Sequence, residues 1–477
     1  MSRRTHYDLV VIGAGSGGYA AARTARDLGA RVGIVDRGPL GGLCILRGCM
    51  PSKALLASSD RVQAIRTAVA LGITTGEPRI DMPYIAARKR ALVGEFAADR
   101  IDGIERFPLH RGLARFVNER ELAVGEELLE ADAFVIATGS NVAPPALPGL
   151  AETGFLDSDA LLDMERVPES AIVLGGGYVG CELGQFLSRM GARTQVVIRG
   201  EHLLSGTDTD IGETLTEAFR NEGIAVHVRS RMQSVRKERG RKIVRLERDG
   251  IALDVDAEEI FYCLGRVPNI AGLELERAGV SAHAVTGIEV DTAMRTSNPR
   301  IFAVGDVTGE FLLVHVAIYQ GEIAARNAFS GGDERADYRL QRSHTIFTEP
   351  QIAVAGASEK ELQRAGTPYV AGRYAFAEHG KSMCLGKTDG FVKMLADPTD
   401  GRILGAACIG PEASELIHEV IVAMHFDATA EQFAKIPHLH PTLAEIWTYP
   451  AEACAAACGM RGAEDQMVEV ATSGAHH

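Results

Sequence analysis

Two glycine-rich turns in one chain, Gly13-Ala14-Gly15-Ser16-Gly17-Gly18 and Gly175-Gly176-Gly177-Tyr178-Val179-Gly180, constrain what this sequence can fold into more than any other feature. The first follows an apolar strand over residues 8–12 and opens an Ala-rich helix to about Leu28; the second follows a strand over 171–174 and opens a helix over 178–190. Each is the start of a βαβ unit whose helix N-terminus forms an anion site. Gly13 and Gly175 make the tight turn, Gly15 and Gly177 let the backbone approach a pyrophosphate, and Gly18 and Gly180 let helix and strand pack closely. The chain is expected to hold two dinucleotides.

The acidic position that closes each unit differs between the two. Asp36 ends the strand over 32–35 and is placed to accept hydrogen bonds from an adenosine ribose. In the second unit that position is Ile198, followed by Arg199. A guanidinium there pairs with a 2′-phosphate, so the expected nicotinamide cofactor is NADP(H) in preference to NAD(H). The alternative is that Arg199 is a solvated loop residue.

A chain of 477 residues exceeds one hydrophobic core, and two to four domains are expected. No run approaches the roughly 18–20 apolar residues that span a bilayer, so no membrane partner is expected. The net charge of −13, without a Lys/Arg block, disfavours nucleic acid. Residues 1–7 are polar and lack an apolar leader core, which makes the cytoplasm the expected location.

Eight cysteines are too sparse for a disulfide scaffold, so their positions carry more information than their number. Cys44 and Cys49 form a C-x4-C pair between the loop 38–42 and Met50-Pro51-Ser52-Lys53. By itself such a pair is compatible with electron exchange with a flavin, with metal ligation, or with two unrelated buried thiols.

The stretch Gly41-Gly42-Leu43-Cys44-Ile45-Leu46-Arg47-Gly48-Cys49-Met50-Pro51-Ser52-Lys53 resembles the active-site signature of the dihydrolipoamide dehydrogenase, glutathione reductase and mercuric reductase group, the class I pyridine nucleotide-disulfide oxidoreductases. The resemblance extends over nearly the whole chain through Ala137-Thr138-Gly139-Ser140, Glu182, Gly265-Arg266-Val267-Pro268-Asn269, Gly305-Asp306, Phe347-Thr348-Glu349-Pro350 and His440-Pro441-Thr442-Leu443-Ala444-Glu445. It implies an α/β fold: a split FAD-binding domain over 1–145 and 266–337, an NAD(P)-binding domain over 146–265, an α+β dimerisation domain over 338–460 and a tail over 461–477.

The same resemblance implies the roles. Cys44 is the thiol that attacks substrate, Cys49 contacts the flavin, Lys53 pairs with Glu182, and His440 with Glu445 moves protons from the other subunit of a homodimer. Gly13, Gly15, Gly18, Asp36, Gly42, Lys53, Ala114, Thr138, Gly139, Asp306 and His315 are expected around FAD. Gly175, Gly177, Tyr178, Gly180, Arg199, Gly265 and Arg266 are expected around NAD(P), with Tyr178 as the lid of the nicotinamide pocket. No resident metal is expected.

The run Leu313-Val314-His315-Val316-Ala317 resembles the dihydrolipoamide dehydrogenase branch, which implies a small thiol/disulfide or a lipoyl-carrying protein as substrate. The other readings are an NADPH-dependent reductase of another disulfide, oxidant or metal ion, and a non-catalytic redox-sensing flavoprotein. Glu322 stands where the glutathione branch carries arginine, which leaves Arg23 as the cation for peptide carboxylates. Arg47, between the cysteines, is expected to favour a thiolate. Cys454 and Cys458, spaced i, i+4, are either a tail relay or small residues of a helix, while Cys181, Cys263, Cys384 and Cys408 are expected in the core.

Overall fold

The computed structural model describes residues 4–459 and 469–471. Its first sheet is built around the run Leu9-Val10-Val11-Ile12, whose side chains are all buried because helices or other strands cover both faces. The strand Arg4–Ile12 lies parallel between Val32–Asp36 and Glu127–Ile136. Leu109–Arg111 extends the parallel sheet beyond Val32–Asp36. Ile301–Ala303 joins Glu127–Ile136 in parallel register, and Glu121–Val124 with Ala114–Asn118 adds an antiparallel edge. The sheet is thus assembled from both ends of a long excursion of the chain.

Two helices seal this return. Ser16–Asp27, opened by the first glycine turn, packs on Val314–Ser330. Their backbones touch: a Cβ on Gly17 would stand 2.9 Å from Ala317 O, and one on Gly321 would overlap Gly17 O. Only glycine at both positions permits that approach.

The second sheet is wholly parallel, in the order Ala225–His227, Arg193–Val197, Ser170–Leu174, Glu259–Tyr262. A three-stranded antiparallel ribbon, Arg231–Glu238, Arg241–Arg248 and Ile251–Ala257, follows it. The outgoing segment Ser140–Val142 and the returning segment Arg266–Pro268 pair antiparallel, so the two connections are hydrogen-bonded together.

The third sheet has six strands in the order His344–Ile346, Gln351–Gly356, Ile403–Gly410, Phe391–Ala396, Val370–Ala375, Glu469–Ala471. The helices Ala413–His425 and Thr448–Gly459 accompany it. Trp447 is fully buried there and donates its indole N–H to Leu416 O at 3.0 Å. The fold is therefore mixed α/β with two Rossmann-like units and an α+β unit. Among the described residues no helix is long and apolar enough to cross a membrane.

Cys384 departs from expectation. It is exposed on the six-residue helix Gly380–Leu385, a surface turn too short to present a buried face at every position. Most of the tail over 461–477 lies outside the described residues.

Candidate active site

The first glycine turn opens into a groove of about 470 Å³ lined by Gly13, Asp36, Gly42, Ala114, Thr138 and Arg266, among others. Its backbone leaves no room for side chains. Gly13 has φ +101°, a Cβ on Gly18 would overlap Gly13 O, and one on Gly42 would lie 2.6 Å from Gly15 Cα. A Cβ on Gly15 would meet nothing nearer than Gly42 Cα at 3.8 Å, which leaves a backbone surface open to a pyrophosphate. Asp36 accepts from Ala14 N at 2.7 Å and Gly38 N at 2.6 Å, so its carboxylate is fixed at the groove wall. An elongated polar groove over a helix N-terminus fits a dinucleotide.

Arg266, expected around NAD(P), lines this groove. Pairing of Arg266–Pro268 with Ser140–Val142 carries it there. Its guanidinium donates to Ser140 Oγ and Ser140 O, both at 2.8 Å, and Ser140 Oγ donates to Asp306 at 2.6 Å. Burial raises the Asp306 carboxyl above its usual value. Gly265 accompanies Arg266, its carbonyl accepting from Ala143 N at 3.0 Å. Gly139, at φ +71°, accepts from Asn269 N at 2.9 Å. The imidazole of His315, also expected around FAD, turns to Gln341 O at 2.6 Å because the short helix Tyr338–Gln341 lies beside its own.

Next to the groove stand the cysteines. Cys44 is on the short helix Gly42–Arg47 and Cys49 begins the helix Cys49–Thr67. Gly48 between them lets the turns fold back, since a Cβ there would lie 3.2 Å from Cys44 Cα. The two Sγ atoms are 2.7 Å apart. Donation from the Cys44 thiol, then the charge of Lys53 one helical turn on, hold the Cys49 thiol down at about 7 against its burial. As the donor, Cys44 is held well above the ordinary thiol value. The pair therefore titrates as a unit.

Lys53 Nζ donates to Glu182 Oε2 at 2.8 Å and lies 4.4 Å from the centre of the Phe347 ring. Glu182 Oε1 accepts from Phe347 N at 3.0 Å. Arg47 does not supply the charge expected of it: its guanidinium pairs with Asp159 at 3.0 Å.

At the second fingerprint Gly175 has φ +111°, and a Cβ on Gly180 would overlap Gly175 O. No atom would come within 4 Å of a Cβ on Gly177. Ile198 is buried against the turn, 2.5 Å from where a Gly176 Cβ would be, while Arg199 is exposed and has no ion pair among the described residues. Tyr178, the first residue of the helix Tyr178–Arg189, meets His344, which sequence reasoning did not single out.

His440 is 81% exposed in its side chain, and its Nδ1 lies 2.9 Å from Glu445 Oε2. The other carboxylate oxygen of Glu445 is 3.4 Å from Nε2 of the buried His379, a second imidazole that no local motif announces. Cys454 is fully buried, its thiol pushed up to about 12 by burial, and Cys458 donates to Asp397 O at 3.4 Å. Both are packed behind the third sheet.

Two nucleotide-binding folds converging on a close thiol pair define a flavin-linked disulfide oxidoreductase. The chain belongs to the pyridine nucleotide-disulphide oxidoreductase family, whose model matches residues 7–321; the family's dimerisation-domain model matches 343–451. It is 35% identical to a dihydrolipoyl dehydrogenase of Chlamydia muridarum, over 92% of this chain and 95% of that protein. It is 34% identical to a mercuric reductase of Streptomyces lividans, over 93% and 95%. In fold it is similar to the copper(II) complex of the HOCl-induced flavoprotein disulfide reductase RclA from Escherichia coli, with a TM-score of 0.83, 22% identity, and 95% and 99% of the two chains covered. The protein is accordingly an FAD-dependent enzyme that uses NAD(P)(H), and its dimerisation domain supports a homodimer.

Proposed function

We propose that this chain exchanges electrons between NAD(P)(H) and a small dithiol or disulfide of the dihydrolipoamide type through Cys44 and Cys49. The observation that carries the reading is the 2.7 Å thiol pair beside the Lys53–Glu182 ion pair. FAD, when bound, supplies the two-electron link between nicotinamide and the Cys44–Cys49 disulfide. The chain's own residues do the rest.

In the reducing direction, Cys44 attacks one sulfur of the substrate disulfide, forming a mixed disulfide and expelling the other sulfur, which takes a proton from His440. Cys49, a thiolate near neutral pH, then attacks the Cys44 sulfur, closing the Cys44–Cys49 disulfide and releasing the second substrate sulfur as a thiolate, which takes its proton from solvent. Because Cys44 is held above the ordinary thiol value, it needs a base, and His440 with Glu445 provides one. The exposure of His440 suits a base that serves the Cys44 of a second copy of the chain. Arg23 is paired with Glu322 at 3.7 Å, which disfavours a peptide disulfide bound through its carboxylates.

A second reading, an NADPH-linked reductase of another disulfide, oxidant or metal ion, draws on Ile198 and Arg199: the first removes the ribose acceptor, the second offers an exposed cation to a 2′-phosphate. Initial rates of dihydrolipoamide oxidation with NAD+ and with NADP+, and of lipoamide reduction with NADH and NADPH, separate the two. Rapid lipoamide turnover in either direction supports the first. Rapid flavin reduction by NADPH without lipoamide turnover establishes the second.

A further inference from the structure

Tyr178 and His344 face each other across the boundary between the second nucleotide fold and the third sheet. The Tyr178 hydroxyl is 2.7 Å from His344 Nε2, and the rings stack at 5.1 Å between centroids and 25° between planes. His344 Nδ1 lies 3.1 Å from Arg342 O, a carbonyl that can only accept. That contact places the imidazole proton on Nδ1, which leaves Nε2 as an acceptor and makes the Tyr178 O–H the donor. Burial favours the neutral ring that this arrangement requires.

Both side chains form part of the wall of a cavity of about 390 Å³, together with Leu313, Arg342, Val354 and Lys393. Tyr178 follows directly on Gly177, whose open backbone is where a dinucleotide would cross the helix N-terminus. Tyr178 is 42% exposed, so its side chain can turn aside without unpacking the core.

We propose that His344 is a positioning residue that latches Tyr178 shut over the nicotinamide pocket, so that NAD(P)H binds only to the fraction of molecules in which the Tyr178–His344 hydrogen bond is broken. The inference rests on the proposed use of the Gly175–Gly180 site by the nicotinamide cofactor. The latch lowers apparent affinity by the fraction of open lids, and removing it restores that affinity. A single neutral hydrogen bond corresponds to about a two- to ten-fold change in dissociation constant.

The test is anaerobic stopped-flow reduction of the FAD-loaded enzyme by NADPH and by NADH in four forms: unmodified, His344→Phe, Tyr178→Phe and the double variant. His344→Phe keeps a stacking ring and removes the acceptor; Tyr178→Phe removes the donor from the other side, so a folding defect in one does not decide the outcome. The latch predicts that each single variant binds NAD(P)H about two- to ten-fold more tightly and that the double variant gains no more than either single. Flavin reduction in all four forms with unchanged dissociation constants, or fully additive effects in the double variant, would overturn the latch while leaving the cofactor site in place. Failure of the unmodified flavin to be reduced by either nucleotide would remove the cofactor reading and the latch together.

Discussion

Lys53 and Glu182 form a 2.8 Å ion pair between the helix begun by Cys49 and the helix begun by Tyr178. The same lysine stands one helical turn from Cys49 and helps hold its thiol at about 7, below the ordinary 9.0. One cation therefore joins the two nucleotide folds mechanically and adds to the hydrogen bond from Cys44 in lowering the Cys49 thiol.

Replacing Lys53 with Met is expected to raise the pH midpoint for alkylation of reduced Cys49 from about 7 toward the ordinary thiol value. The sign follows from linkage. A thiol with a depressed folded value gains its thiolate advantage above the ordinary pKa and loses it as pH falls through about 7. Iodoacetamide labelling of Cys49 from about two pH units below neutrality to about three above it measures the midpoint; an unmoved midpoint would assign the depression to Cys44 and not to Lys53.

His440→Gln should lower disulfide turnover by about 10²- to 10⁴-fold, the usual size of a lost general acid–base. Flavin reduction by NAD(P)H does not need this proton transfer and should persist in stopped flow. Equal loss of both half-reactions would mean that His440 supports the fold or the dimer instead.

Arg199→Ala should raise KM for NADPH by about 10- to 100-fold, the loss of ~1.5–3 kcal/mol of charge-assisted hydrogen bonding, with little change for NADH. Ile198→Glu, which places a carboxylate where a ribose would lie, should move preference further toward NADH. The ratio of kcat/KM for the two nucleotides is the measurement, and a ratio indifferent to both changes would make Arg199 a solvated loop residue.

Much of this was legible in the sequence where chemistry is written locally. The glycine turns, the C-x4-C pair and the His440–Glu445 spacing each specify a backbone shape or a pair of groups within a few residues, and the structure brings Lys53 and Glu182 together as the resemblance implied. What escaped depends on pairing across the fold. Arg266 reaches the first groove only because its strand pairs with Ser140–Val142. Arg47 looked like the charge beside the thiols until Asp159 arrived from elsewhere in the chain. His344 and His379 gain their meaning from Tyr178 and Glu445, partners remote in sequence, and no local pattern marks either one.

The most direct measurement is cysteine counting by mass spectrometry after anaerobic treatment of the oxidised, FAD-loaded protein with one equivalent of NADPH or NADH, followed by alkylation. Electron transfer through the proposed pair predicts two newly alkylated cysteines, Cys44 and Cys49, with Cys454 and Cys458 unchanged. Flavin reduction without new labelling at Cys44 and Cys49 would contradict a disulfide-linked mechanism.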